Sequence, residues 1–352
     1  MTDKPLVIHL LGRDSGWDES WFVLSLAGAM NRAGLRTLAA APAGSPAETL
    51  ARALGVDFEP FAFGSPSNPL AWIKFGSLAK KVGAAAVFAH DPAAALVSAR
   101  SRLPAGCRRV AILYRRARTE GFAARTDALF AASRHAGGDA ARLLYAGADI
   151  ETAKSAEARR DATRARFIGE FCPAKEKPLF LACVAPFEAE SRQRMLLDAM
   201  PDILTNLPQT HLLLAGDGPE YPELERLSRI MALENSVTFL DPDQDILDLL
   251  AAGDLFLSPR RGDGAGIMLN AAMAVGRSVV AADSGAYPEI LDGGKIGVLA
   301  ESDNAAGFAA AILDLLKNRN RRDHFGRLAA ARAAKTSSLA LAVETLIKAL
   351  SI

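Results

Sequence analysis

Short apolar runs alternate with segments of helical period along most of this sequence, and that alternation limits the fold more than any other feature. Residues 6–11 read Leu-Val-Ile-His-Leu-Leu and stop at Gly12, which predicts a buried first strand. The loop 13–17 then enters a segment, 18–33, that places Phe22, Val23, Leu26, Ala29 and Met30 on one face and closes at Gly34. Strand-like and helix-like pieces follow in turn at 37–41, 46–53, 58–63, 70–81, 85–89, 93–102, 110–114 and 128–131. Such alternation with short loops predicts a parallel sheet wound with helices on both faces, with ligands at the carboxyl ends of the strands.

The plan then restarts. An Arg-rich helical segment at 156–169 is followed by Cys172-Pro173-Ala174-Lys175-Glu176-Lys177-Pro178, a polar stretch between two prolines that makes the best linker in the chain. Beyond it, strands are expected at 179–184, 211–215, 237–240, 255–257 and 278–281, and helices at 188–205, 220–232, 246–252, 267–276, 305–316, 322–334 and 339–350. A length of 352 residues exceeds what one core usually organises, so two doubly wound α/β domains, 1–170 and 171–335, are the expectation.

Charge is balanced overall but not along the chain. Residues 1–170 carry 23 Lys and Arg against 16 Asp and Glu, and residues 171–352 carry 18 against 24, so the first half favours an anionic partner. Cys107, Cys172 and Cys183 are widely spaced with no CxxC, which argues against a disulfide framework or a thiolate metal site and for a reduced setting. The start, Met-Thr-Asp-Lys-Pro, lacks a signal-peptide layout, and no apolar run approaches the roughly 20 residues of a membrane-spanning helix. A cytoplasmic protein is expected, with any membrane contact peripheral and at the inner face.

The most informative stretch is 256–289. Phe256-Leu257-Ser258-Pro259 leads into the polar, Gly-rich loop Arg260-Arg261-Gly262-Asp263-Gly264-Ala265-Gly266, then an apolar helix, a short strand, and Asp283-Ser284-Gly285-Ala286-Tyr287-Pro288-Glu289. Glycines between a strand and a helix let backbone N–H groups approach an anion, and the helix terminus adds partial positive charge. A phosphate-bearing ligand fits there; so does an ordinary strand-to-helix turn.

This order of segments resembles the donor half of the group 1 (family 4) retaining glycosyltransferases, and the likeness extends over nearly the whole chain. Gly216-Asp217-Gly218-Pro219 matches the family's Gly-x-Gly-Pro turn, and Tyr145-Ala146-Gly147-Ala148-Asp149 is similar to the segment that ends its first domain. The resemblance implies the GT-B fold, two Rossmann-like domains facing across a cleft, with the last helix, within 336–352, packing back on the first. It implies transfer of a hexose-type sugar from a nucleoside diphosphate sugar to a glycan or lipid-linked acceptor, with no metal or other cofactor. On the donor side it points to Asp263 as a catalytic residue and to Gly264, Ala265, Gly266 and Gly216 as binding residues, and Arg260 and Arg261, beside the same loop, are binding candidates by their place in the sequence. On the acceptor side it points to Gly16 and Glu19, with His90 as a second catalytic candidate, and the arginine group adds Arg115 and Arg116 as acceptor-side candidates.

Several family positions differ. Ala271 replaces a ribose-gripping Glu, Pro186 and Ser191 replace an Arg and a Lys that face the diphosphate, and Arg115 stands where the second of two His is expected. Arg260, Arg261, Arg192 and Arg194 are near enough in sequence to restore positive charge. Two readings follow: an active, divergent glycosyltransferase, or a degenerate relative that acts as a binding or scaffolding partner. Arg108, Arg109, Arg115, Arg116, Arg118 and Arg125 form a dense group suited to an anionic acceptor or to a solvated face. Gly-x-Gly-x-x-Gly after the first strand and a Gly-Lys-Ser/Thr loop are both lacking, which argues against a dehydrogenase and a P-loop kinase. Aromatic residues are not interleaved with the arginines, which argues against nucleic acid.

Overall fold

A computed structural model of the chain describes residues 4–13, 15–241, 245–262 and 265–350. The chain divides into two compact units, one formed by the residues up to Ala146 together with those from Leu339 onward, the other by Gly147–Ser338.

In the first unit the strands are β1 (Leu6–Leu10), β2 (Arg36–Ala41), β3 (Asp57–Pro60), β4 (Ala84–Ala89), β5 (Arg108–Leu113), β6 (Ala128–Ala131) and β7 (Arg142–Leu143). They form one parallel sheet in the order β3-β2-β1-β4-β5-β6-β7. Helices cover it because β1, β4 and the last four residues of β5 are almost wholly apolar and need both faces buried. Phe75, Val87, Ile8 and Leu10 are fully enclosed in its core. The closing helix Leu339–Leu350 packs on the helix Trp17–Arg32 within this unit, burying Leu339, Val343, Leu346 and Leu350.

The second unit repeats the arrangement with β8 (Leu179–Val184), β9 (Thr210–Ala215), β10 (Val237–Leu240), β11 (Leu255–Ser258), β12 (Ser278–Ala282) and β13 (Val298–Ala300), in the order β10-β9-β8-β11-β12-β13. All pairs are parallel. The Arg-rich segment forms two helices, Ile150–Ala158 and Arg160–Phe171, and both belong to this unit, ahead of the proline-flanked stretch at 172–178. Arg159 and Arg160 tie them to it, through Asp248 at 2.6 Å and Asp254 at 3.2 Å. The helix expected at 188–205 begins only at Gln193, after a 3-10 turn Ala189–Ser191, because Arg192 takes a left-handed conformation (φ 60°) that interrupts it.

Candidate functional site

Each sheet reverses its strand order once, and the carboxyl edge beside that reversal leaves room for a ligand. In the second unit the reversal lies between β8 and β11. Arg260, two residues past β11, is 8% exposed and its Nη1 donates to Ser191 Oγ at 3.1 Å, on the loop that follows β8. Its Nη2 lies 3.5 Å from Glu190 and 3.9 Å from Glu188. Its Nε is buried and has no partner among the described residues. Leaving such a donor unsatisfied costs about 1–3 kcal/mol, so a guest acceptor would be welcome there.

The neighbouring loops are tightly held. Arg261 N donates to Glu190 O at 3.0 Å and Gly262 N to Ser284 Oγ at 3.0 Å, so the segment after β12 supports the Gly-rich loop. The Arg261 guanidinium pairs with Asp303 at 3.3 Å, a carboxylate that Arg192 meets at 2.7 Å. Gly266 has φ 64°, a left-handed conformation that favours glycine, and precedes the helix Ile267–Ala274; a Cβ there would come 2.4 Å from Ile290 Cδ1. Ala265 is buried beside it. Gly216 lies against the loop after β8, since a Cβ would meet Ala185 O at 2.1 Å. Ala271 is fully enclosed, so that position offers no group to hydroxyls. Asp263 and Gly264 lie outside the described residues.

In the first unit the reversal lies between β1 and β4, and the protein fills it with its own groups. Asp91 caps the helix Pro92–Arg100, accepting from Ala94 N at 2.8 Å and from Gly12 N at 2.6 Å. Its Oδ2 also accepts from Ser15 Oγ at 3.4 Å. The amides that could have met a phosphate meet this carboxylate instead. Nearby, Glu19 is buried and accepts from Arg115 Nε at 3.0 Å. Burial, then the Asp18 carboxylate, push its carboxyl up to about 7 against the pull of Arg115. Gly16 leads into the helix Trp17–Arg32 with no side-chain cap, and Arg116 is exposed.

His90 follows β4 and is 1% exposed. Its Nε2 lies 3.0 Å from His9 Nδ1 and its Nδ1 lies 2.8 Å from Tyr114 Oη, so both nitrogens are engaged. Burial holds His9 down to about 3, and burial with the neighbouring His9 holds His90 well below the ordinary imidazole value. A neutral, enclosed ring of this kind aligns Tyr114 rather than meeting a substrate.

The arginine group of the first half is not one patch. Arg108 and Arg109 open β5, whereas Arg115 and Arg116 follow its end, roughly 20 Å away along a strand. Arg108 pairs with Asp127 at 3.4 Å, and Arg109 donates to the Ser98 and Ser101 carbonyls at 3.2 and 3.0 Å. Sequence reasoning passed over Asp91, although Asp-Pro directly after a strand is a cap-and-first-turn signature. It had no signal for Ser284 beneath Gly262 or for Tyr287, which meets Ser258 Oγ at 2.6 Å.

Residues 177–318 match the family model described as "Glycosyl transferases group 1". The N-acetyl-alpha-D-glucosaminyl L-malate synthase of Bacillus anthracis is 30% identical over 154 residues, 44% of this chain and 40% of that protein. A GDP-mannose-dependent alpha-(1-6)-phosphatidylinositol monomannoside mannosyltransferase of Mycolicibacterium smegmatis is 28% identical over 155 residues, 42% of this chain and 41% of that protein. The matches thus span less than half the length of these relatives. The Anabaena protein Alr3699/HepE, solved in complex with UDP-glucose, superposes with a TM-score of 0.77 at 21% identity, covering 98% of this chain and 99% of that one. Residues 177–318 are thus similar to the group 1 glycosyltransferases, and the chain has the two parallel, doubly wound Rossmann-like domains found in the GT-B fold.

Proposed function

We propose that this chain is a retaining glycosyltransferase that takes a nucleoside diphosphate sugar at the carboxyl edge of its second sheet and passes the sugar to a glycan or lipid-linked acceptor. The observation that carries this reading is Arg260, held across the β8/β11 reversal against Ser191. It brings a guanidinium to the loop whose family cations are replaced by Pro186 and Ser191. Negative charge grows on the departing diphosphate during transfer, so a preorganised cation at that point stabilises the transition state. The amides around Ala265 and Gly266 and the start of the helix Ile267–Ala274 act in the same sense. Asp263 holds sugar hydroxyls, and Gly216 lets its turn close on the β8 loop. Arg261 adds positive charge beside the loop.

On the acceptor side, Glu19 paired with Arg115, together with Gly16 and Arg116, presents polar groups at the carboxyl edge of the first sheet, and His90 is a positioning residue behind Tyr114. The phosphatidylinositol-linked acceptor named for the mycobacterial relative supports a lipid-linked one here. Leu70 and Ile73, 62% and 64% exposed on the helix Pro69–Lys81 beside Lys74, fit peripheral contact with an anionic membrane from the cytoplasmic side. No described helix is long and apolar enough to cross one.

A thermal-shift panel of UDP, GDP, ADP and their sugars tests the reading. About 2.7 kcal/mol of stabilisation is expected at a hundredfold excess over the dissociation constant. Absence of any shift would remove the donor assignment. A shift without sugar transfer or hydrolysis would favour a binding or scaffolding relative.

A further inference from the structure

The second unit contains a cavity of about 810 Å³ at the other edge of its sheet, beside the amino ends of β8 and β12. The helices Ile150–Ala158, Arg160–Phe171 and Arg319–Thr336 wall it. Eight Lys and Arg residues line it against three carboxylates.

Sorting those cations by partner shows which the fold itself consumes. Arg160 and Arg164 converge on Asp254 at 3.2 and 2.9 Å. With Arg277 they also donate to the carbonyls of Ala251, Ala252 and Gly253, at the end of the helix Ile246–Ala252. That helix end carries partial negative charge, and Arg277 also pairs with Glu157 at 2.5 Å, so the fold itself engages all three. Among the described residues Arg322 meets main-chain oxygens, that of Leu316 at 3.2 Å and that of Leu315 at 3.5 Å. Lys177 and Arg327 are exposed at the cavity and have no partner among the described residues. Two full positive charges, those of Lys177 and Arg327, therefore face the space with no partner among the described residues, and Arg322 adds a third whose contacts there are carbonyls at the end of the helix Ala305–Lys317.

The space is built into the packing. A Cβ on Gly326 would come 2.4 Å from Gly276 O, so this glycine lets the helix Arg319–Thr336 lie against the turn before β12. Arg319, Arg322, Gly326 and Ala330 recur at three- and four-residue spacing and so share one helix face. Ile168, Pro178 and Val275 supply apolar lining. Bare cations of one sign repel each other, and a ligand that neutralises several at once removes that cost.

We propose that this cavity binds a small, multiply charged organic phosphate of sugar-phosphate or nucleotide size, separately from the carboxyl edge. Its volume lies within the range of small-molecule sites, about 300–1,000 Å³, and the inference does not depend on the donor assignment. Pyrophosphate is the probe. Calorimetric titration into the full chain and into the Lys177→Gln/Arg327→Gln double variant measures affinity, and hydrogen–deuterium exchange reports the place. Both replaced side chains are exposed and without partners among the described residues, so folding is expected to be unchanged. Expected are protection of residues 319–330, weakening of about tenfold or more in the double variant, and weakening with salt. The proposal is overturned if pyrophosphate does not bind. It is also overturned if protection is confined to 259–267 and the variant binds as well as the native chain. Loss of binding to anionic-lipid vesicles in the variant, with no pyrophosphate binding to the native chain, would assign the charges to a membrane surface instead.

Discussion

The two sheets reverse at equivalent places and treat the space there in opposite ways. At the β1/β4 reversal Asp91 occupies the amides of Gly12 and Ala94, so a side-chain carboxylate stands where an anionic guest would sit. At the β8/β11 reversal the corresponding occupant is a guanidinium, Arg260, which keeps one buried N–H without a partner among the described residues. One fold pattern, used twice, therefore yields a self-satisfied edge in the first unit and an anion-seeking edge in the second. Topology marks where a ligand can sit, and a single charged side chain decides which kind it will be.

Removing the second of these occupants should have the largest effect. Arg260→Gln is expected to weaken nucleoside diphosphate binding about 10- to 100-fold, the range for a charge-assisted hydrogen bond lost from a buried site. Calorimetry checks this. Arg260→Lys, which keeps the charge but not the fork, should recover part of the affinity. Unchanged affinity in Arg260→Gln would erase the contrast between the two edges.

Asp91→Ala should lower stability by about 1–2 kcal/mol through loss of the helix cap and of the Gly12 acceptor, with nucleotide affinity unaltered. Urea unfolding and the same titration separate these effects, and a matching loss of affinity would show that the first edge also serves the nucleotide.

Glu19→Gln should be visible chiefly as a change in pH dependence. Glu19 is raised from 4.5 to about 7, so the stability associated with its protonated form is full below the unfolded value and is lost as pH rises through about 7. His9 is depressed and acts in the opposite sense: its contribution is present above 6.5 and is lost as pH falls toward about 3. Glu19→Gln should remove the decline between about pH 4.5 and 7 while the acid-side loss from the buried histidines remains. Identical stability profiles for variant and native chain would remove Glu19 from that account.

The helices and strands were largely legible because each depends on neighbours in sequence. Apolar runs such as those of β1 and β8 carry their conformations locally. Where local reading failed, a contact distant in sequence was responsible. The helix expected from 188 starts only after Arg192, whose left-handed backbone accompanies an ion pair with Asp303. His90 looked available at a strand end until His9 and Tyr114 closed over both its nitrogens. Arginines adjacent in sequence at 108–116 were drawn to opposite ends of β5, because a strand separates what a chain lists together.

By itself the sequence determined that this chain forms two doubly wound α/β units with a Gly-rich, anion-compatible loop before the helix Ile267–Ala274, since periodicity and turn chemistry act over a few residues. Only the tertiary structure decided that Arg260 would reach Ser191, 69 positions earlier, and that cations from residues 160, 277 and 322 would gather at the opposite edge. Those meetings follow from strand order: placing β11 beside β8 joins loops that no local pattern relates, and the long, charged side chains on them then settle into whatever fields the packed backbone creates.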